Sequence, residues 1–370
     1  MLLVSEPDVG ADEAAALTSV IATNWITMGD RVRAFEQAFA AAHGASDAVA
    51  VNSCTAGLHL ALQALGIGPG DEVLVPSLSF VATASAVLYT GARPIFVDIV
   101  SPDVPHMSFA DAVAKCTERT KAAIVMHYAG YLMEGSAWRD LARSRGIFLV
   151  EDSAHAVGNG RVGLFSDITV FSFYGNKNMT TGEGGMMLAA DDELLERARK
   201  ARGHGLTTDT LQRLHGRPAT YDVPAIGYNY RMDELHAAIG LVQLEKLDGW
   251  NRKREQIARC YREIMPHLCP NVRIPFGGNW HSAHHILPAL LPRGVDRYRV
   301  MGALRDQDIQ TSYHYPPIHS LALYRSMYPD LCLKHTEEFA ARELTLPLHP
   351  KMQARDVERV ASALAGALAD

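Results

Sequence analysis

Apolar and polar positions along the chain follow two periods, and the switch between them marks the elements. Residues 12–22 and 31–42 repeat alanine-rich apolar faces at helical spacing, on either side of the irregular Asn24-Trp25-Ile26-Thr27-Met28-Gly29. Asp47 to Asn52 (DAVAVN) predicts a short strand, and after Ser53-Cys54-Thr55 the run LHLALQALG predicts an apolar helix stopped by Gly66. Further strands are predicted at Glu72–Pro76, Pro94–Asp98, Ala122–His127 and Ile147–Asp152. Helices are predicted over SLSFVATASAVLYTG, over 108–116 and near 136–145. Ile168 to Phe173, rich in β-branched and aromatic residues, predicts one more buried strand. Strands alternating with helices at this cadence imply a parallel sheet covered on both faces. The polar, glycine-containing stretch 206–224 predicts a mobile loop, and a long helix is predicted from about Asp233 to Arg254. The expected fold class is α/β, with a large mostly parallel-sheet domain over 1–245 and a small C-terminal α+β domain over 246–370.

The stretch 168–187, ITVFSFYGNKNMTTGEGGMM, organises the rest. Lys177 stands in a turn just past a buried strand, followed by Thr180, Thr181, Gly182, Glu183, Gly184 and Gly185 before the apolar run resumes at Met186 and Met187. A lysine there reaches the crevice where α/β sheets hold ligands, and a desolvated amine loses its proton readily, as Schiff-base chemistry requires. The plain alternative is a solvated loop lysine. Asp152 ends a second predicted strand, so it projects into the same crevice. Ser53-Cys54-Thr55 joins a strand to a helix N-terminus, where free amides and the helix dipole suit a phosphate. Taken singly, Asp152 reads equally as a helix cap, and the Ser and Thr read more readily as one. Together, a carboxylate partner for a pyridine nitrogen, an imine-forming lysine and a phosphate cradle are what pyridoxal 5'-phosphate needs.

Composition narrows the classes. The 370 residues carry a formal net charge of −6, and no basic block supplies the phosphate neutralisation that nucleic-acid binding needs. Five cysteines, odd in number and without CxxC spacing, fit a reducing cytoplasm. The N-terminus turns acidic too early for a signal peptide and no apolar run reaches spanning length, so a soluble cytoplasmic protein is expected, with no membrane partner. Gly66-Ile67-Gly68-Pro69-Gly70 precedes a strand where a dinucleotide fingerprint would follow one, and GEGG follows its lysine where a Walker loop precedes it. His281, His284, His285, His314 and His319 have no cysteine or carboxylate to complete a ligand set, so no metal site is expected.

Nearly end to end, the motifs resemble the DegT/DnrJ/StrS aminotransferases, which are pyridoxal-phosphate enzymes of fold type I (aspartate aminotransferase-like). They are NWITMGDRVRAFEQAFA, VNSCTAGLHLALQALGIGPGDEVLVPSLSFVATASAV, GARPIFVDI, VEDSAHAVG, FSFYGNKNMTTGEGGMM, GYNYRMDELHAAIGLVQLEKLD, HYPPIH and LTLPLHP. The resemblance implies that Lys177 forms the imine and shuttles the proton, that Asp152 pairs with the pyridine nitrogen, and that His155 lies near the ring 3-oxygen. It implies Phe80 stacked over the ring, and phosphate held by the backbone of Cys54 and Thr55 and the Ser172 hydroxyl. Asn229, with Arg231 nearby, would reach the partner's phosphate in an obligate homodimer. Trp25, Met28, Asn176 and His314 to His319 would form the substrate mouth. Cys54 departs from the family's usual glycine, the segment 158–162 is shorter than usual, and Tyr131 sits among substrate-dependent residues. The implied activity is amino transfer from L-glutamate to a nucleotide-linked keto-sugar, of the 4-keto-6-deoxyhexose type. Alternatives are a cyclitol or other small ketone as acceptor, or a non-catalytic cofactor-binding regulator. Lys177 argues against the family's dehydratases, which carry histidine there.

Overall fold

In the computed structural model, which describes residues 1–207 and 220–369, eleven strands are named. They are β1 (Val49–Val51), β2 (Glu72–Pro76), β3 (Arg93–Val97), β4 (Ile99–Ser101), β5 (Val104–Met107), β6 (Thr120–Met126), β7 (Phe148–Asp152), β8 (Ile168–Ser172), β9 (Gly185–Ala189), β10 (Leu287–Leu290) and β11 (Glu343–Leu346). Seven form one sheet in the order β1-β9-β8-β7-β6-β2-β3. From β8 to β3 every pairing is parallel, and β9 alone runs against its neighbours. The C-terminal ends of the other six strands therefore share one edge with the start of β9.

Both faces of the sheet are covered, and the strand period decides which side chain goes where. On β2, Val73 and Val75 join the core beneath the helix Cys54–Ala64 (α1 below), whereas Leu74 between them packs with Val97, Val125 and Leu149 on the other face. On β8, Val170 faces the first side, while Phe171 meets Phe35, Phe39 and Phe173 on the second. A separate core lies C-terminal to the sheet. There Ile257, Tyr261 and Met265 pack with Leu287, Leu304, Leu344, Leu346, Val360 and Leu364.

The predicted elements are present with several differences. The helix expected over 77–91 begins only at Ala82 and runs to Tyr89, because Ser77 continues the β2–β3 pairing through its amide to Val97 O at 3.2 Å. The hairpin β4–β5 falls where the sequence predicted no strand. The long helix spans Glu234–Leu268 and does not stop at Arg254, since Ile257, Ala258, Tyr261 and Met265 continue its apolar stripe into the C-terminal core. The expected division at 245/246 falls within it. Most of the predicted loop 206–224 lies outside the described residues.

The start of that helix is tied to the N-terminal region by one buried carboxylate. Glu234 Oε2 accepts from Arg31 N and Oε1 from Val32 N, both at 3.0 Å, so it caps the helix Asp30–Ala42 from another part of the chain. Glu234→Ala leaves two amides of a packed helix end without partners. It should destabilise the protein by about 2–3 kcal/mol in a denaturant titration, and an unchanged midpoint would show the cap to be dispensable.

Candidate active site

The edge where the strand ends meet carries a cavity of about 470 Å³. Asp152 is the last residue of β7 and Ser172 the last of β8. Met126 ends β6, and Cys54 heads the helix Cys54–Ala64, here α1. All four line the cavity with Thr55, Phe80, His155, Asn176, Lys177, Glu183, His314 and Tyr315. Ser53 caps α1 by accepting from Ala56 N at 3.1 Å, and the first intrahelical bond is Gly57 N to Ser53 O at 3.1 Å. The amides of Cys54 and Thr55 thus precede the helical ladder and are available to an anion. Gly185 makes this approach possible, since a Cβ there would stand 2.8 Å from both Cys54 N and Phe171 O.

Lys177 lies in a turn closed by its own amide on Tyr174 O at 2.9 Å. Burial of the amine lowers its pKa to about 8, against the opposing pull of Cys54 and Asp152. Asp152 is buried, which raises its pKa, while the Thr83 hydroxyl donates to Oδ2 at 2.7 Å and Ala154 N to Oδ1 at 3.2 Å, both favouring the carboxylate. His155 Nδ1 accepts from Ala129 N at 3.2 Å, so its proton sits on Nε2 and is donated to Tyr315 Oη at 2.9 Å. Burial and Lys177 keep this imidazole neutral. The phenol proton of Tyr315 remains free for an anionic oxygen in the cavity. His314 Nδ1 contacts Thr345 Oγ1 at 2.8 Å, and that hydroxyl is 2.6 Å from buried Glu343, whose pKa burial raises to about 8.

The structure thus gathers Lys177, Asp152, His155, Cys54, Thr55, Phe80, Ser172, Asn176 and His314 around one cavity. It does not bring Trp25, Met28, Asn229, Arg231 or His319 to the lining. Trp25 packs against Gly29, and Met28 against the aromatic core of the second sheet face. Asn229 is exposed beside Asn52, and Arg231 bridges Val51 at the sheet edge. His319 is buried, with Nδ1 on Ser77 Oγ at 2.7 Å and Nε2 on Glu337 at 3.0 Å. Tyr131 is buried and stacked on Phe276, also away from the lining. Thr83, Asn178 and His285 were missed by the sequence reading, and Tyr315 was covered only as part of the segment His314 to His319. Thr83 could have been found from its place one helical turn after Phe80 in FVATAS, whereas His285 had no local signal beyond a histidine cluster.

The donor set suits a phosphorylated pyridine aldehyde: a carboxylate for a ring nitrogen, an amine of lowered pKa for the aldehyde, and an amide cradle opened by Gly185. Comparison with known proteins points the same way. A model of the DegT/DnrJ/EryC1/StrS aminotransferase family matches residues 7–365. The aminotransferase TlmJ from Streptoalloteichus hindustanus is 36% identical, with a TM-score of 0.91 and coverage of 100% of this chain and 99% of that one. The putative sugar aminotransferase Spr1654 from Streptococcus pneumoniae, solved in its PMP form, is 27% identical, with a TM-score of 0.89 over 100% and 99% of the two chains. DesI, solved in the presence of its TDP-sugar product, is 31% identical, with a TM-score of 0.87 over 99% and 93%.

Thr83 tests the electrostatics of the cavity. Thr83→Val removes a hydrogen bond to the charged form of Asp152 and should weaken binding of added pyridoxal phosphate by about tenfold, or ~1.4 kcal/mol. A fluorescence titration checks this, and wild-type affinity would show that Asp152 needs no such support.

Proposed function

Since the chain belongs to the DegT/DnrJ/EryC1/StrS aminotransferase family, and is accordingly a pyridoxal-phosphate-dependent transaminase, we propose that it moves an amino group from L-glutamate to a nucleotide-linked keto-sugar of the 4-keto-6-deoxyhexose type. The observation that carries the reading is the meeting of Lys177 and Asp152 in one cavity beside the N-terminus of α1. The acceptor class is supported by the likeness to the putative sugar aminotransferase Spr1654 and by the TDP-sugar product of DesI.

Bound pyridoxal phosphate supplies an aldehyde that takes up the amino group and a ring that draws off electrons. The remaining work falls to the protein's own residues. Lys177 Nζ, its charge disfavoured by burial, provides the amine that tethers the cofactor. Once released, it accepts the proton from the donor's α-carbon and later delivers one to the sugar carbon. Asp152, held by Thr83 and Ala154, would pair with the ring nitrogen and keep a proton there. The Cys54 and Thr55 amides and the Ser172 hydroxyl would take the phosphate, and Phe80, on the cavity wall, would stack on the ring. His155, locked as a neutral donor to Tyr315, would leave the phenol proton for the ring oxygen. Asn176 and His314 face the incoming substrate.

Two copies of the chain complete the sites. Asn229 and Arg231 stand outside their own cavity, suited to reach that of the partner, and Tyr89, Tyr174 and Ile226 are 52–75% exposed apolar or aromatic side chains available for an interface. The reading places the protein in the cytoplasm. All five cysteines are free, and no helix among the described residues is long and apolar enough to cross a membrane.

Adding L-glutamate to the cofactor-loaded protein should move its visible absorption to the near ultraviolet, and a suitable keto-sugar should restore it. A band unmoved by glutamate would remove glutamate as donor. Lys177→Ala should abolish turnover, and Asp152→Asn should lower kcat/KM by about 100-fold or more. Wild-type rates in either purified variant would sink the site assignment.

A further inference from the structure

Lys177 has a neighbour in the segment between the long helix and β10. His285 is buried, and its Nε2 stands 3.5 Å from Lys177 Nζ, at the outer edge of hydrogen-bonding distance. The form of the imidazole that faces the lysine follows from a backbone carbonyl three links away. Ala283 O can only accept, so its 2.7 Å contact identifies the nearby atom of the Asn178 amide as Nδ2, which also donates to Asn251 Oδ1 at 2.7 Å. Asn178 Oδ1 is then the atom facing His285 Nδ1 at 3.0 Å, and it too can only accept. His285 therefore carries its proton on Nδ1 and turns the Nε2 lone pair toward Lys177.

The ring is held on other sides as well. The His285 amide donates to Ala129 O at 3.0 Å, its carbonyl accepts from Arg254 Nη1 at 3.2 Å, and the ring lies 4.3 Å from that of His155, centroid to centroid. Burial, together with His155, Lys177, Arg254 and His314, keeps His285 neutral. The charged or titratable groups around the lysine are thus Asp152, Glu183, Cys54, His155, His314, Tyr174 and Tyr315 on the cavity wall, with His285 behind it and Arg254 beyond.

We propose that His285 is a positioning residue for Lys177: while the amine is detached from the cofactor, His285 Nε2 accepts a hydrogen bond from Nζ and holds it at one place beside the cavity. This rests on the assignment of Lys177 as the tethering lysine. A released lysine has a long flexible stem, and Asp152 is the competing attraction inside the cavity. An acceptor outside the cavity lining keeps the amine clear of the carboxylate that the ring nitrogen would need. Asn178, the residue after Lys177, fixes the tautomer of the group that receives the lysine, so one turn presents both halves of the contact.

The test uses the full-length protein freed of cofactor. The pH midpoint for modification of Lys177 by trinitrobenzenesulfonate, followed by peptide mapping, should lie near 8 in the wild type. In His285→Phe the ammonium loses its acceptor, and the midpoint should fall by about one unit, a roughly tenfold loss of proton affinity. His285→Gln, which retains an acceptor oxygen, should stay close to the wild type. In the unsubstituted protein, ¹⁵N-histidine spectra should show His285 locked with its proton on Nδ1 from pH 6 to 9, a measurement that holds even if a variant fails to fold. An unmoved midpoint in folded His285→Phe, or a proton on Nε2, overturns the inference. Borohydride reduction of the loaded protein separates the two readings: cofactor fixed to Lys177 leaves only His285 in question, and cofactor fixed to another lysine overturns both.

Discussion

Removing the amine of Lys177 from water is the constraint on which the site depends. In bulk solvent the amine would hold its proton too tightly for the proposed roles of nucleophile and proton carrier, and burial corrects this by disfavouring the charge. The same burial acts on Asp152 in the opposite chemical sense, favouring its neutral form. The cavity offsets that effect with the Thr83 hydroxyl and the Ala154 amide, both of which favour the carboxylate. Two groups of opposite charge thus share one cavity, each moved toward neutrality by desolvation and each supported by the other.

The opposite end of the cavity uses backbone in place of side chains. Gly185 is paired with Ser172 on one side and Val51 on the other, so the head of α1 sits directly above the strand that runs against the rest. No side chain fits between them. That close approach puts the free amides of Cys54 and Thr55 within the same cavity as Asp152 and Lys177. Cys54 is tolerated there because the cradle is made from main-chain N–H groups, and its side chain lies at the start of the helix without interrupting the ladder.

The two cores of the molecule meet along the long helix. Arg254, fully buried within it, donates to the carbonyls of His285 and Leu348, and Asn251 accepts from the residue next to Lys177. Buried hydrogen bonds of this kind are costly to leave unmade, so the C-terminal segment cannot shift far without disturbing the turn that carries the lysine. The walls of the cavity formed by His314 and Tyr315 are tied to β11 through Glu343, which accepts from His314 N at 2.8 Å.

Much of the architecture was legible in the sequence, because local chemistry writes strand ends and turns directly. The alternation of apolar residues marked the sheet strands near their observed limits, and placing Asp152 and Lys177 after two of them was enough to put both in one crevice. Helix extent was less legible: Arg254 looks like a polar terminus, yet the helix runs on to Leu268 because the surface receiving its apolar stripe lies elsewhere in the chain. The reversed direction of β9 and the hairpin β4–β5 depend on pairing partners distant in sequence. His319, near His314 in sequence, is turned into the protein between Ser77 and Glu337. His285, more than one hundred positions from Lys177, is brought to it. Sequence determined which elements form and where Lys177 and Asp152 stand on them, since strand period and turn chemistry act over a few residues. Only tertiary structure decided which histidines face the cavity and in what protonation form, since those depend on burial and on hydrogen-bond partners that the fold assembles from distant parts of the chain.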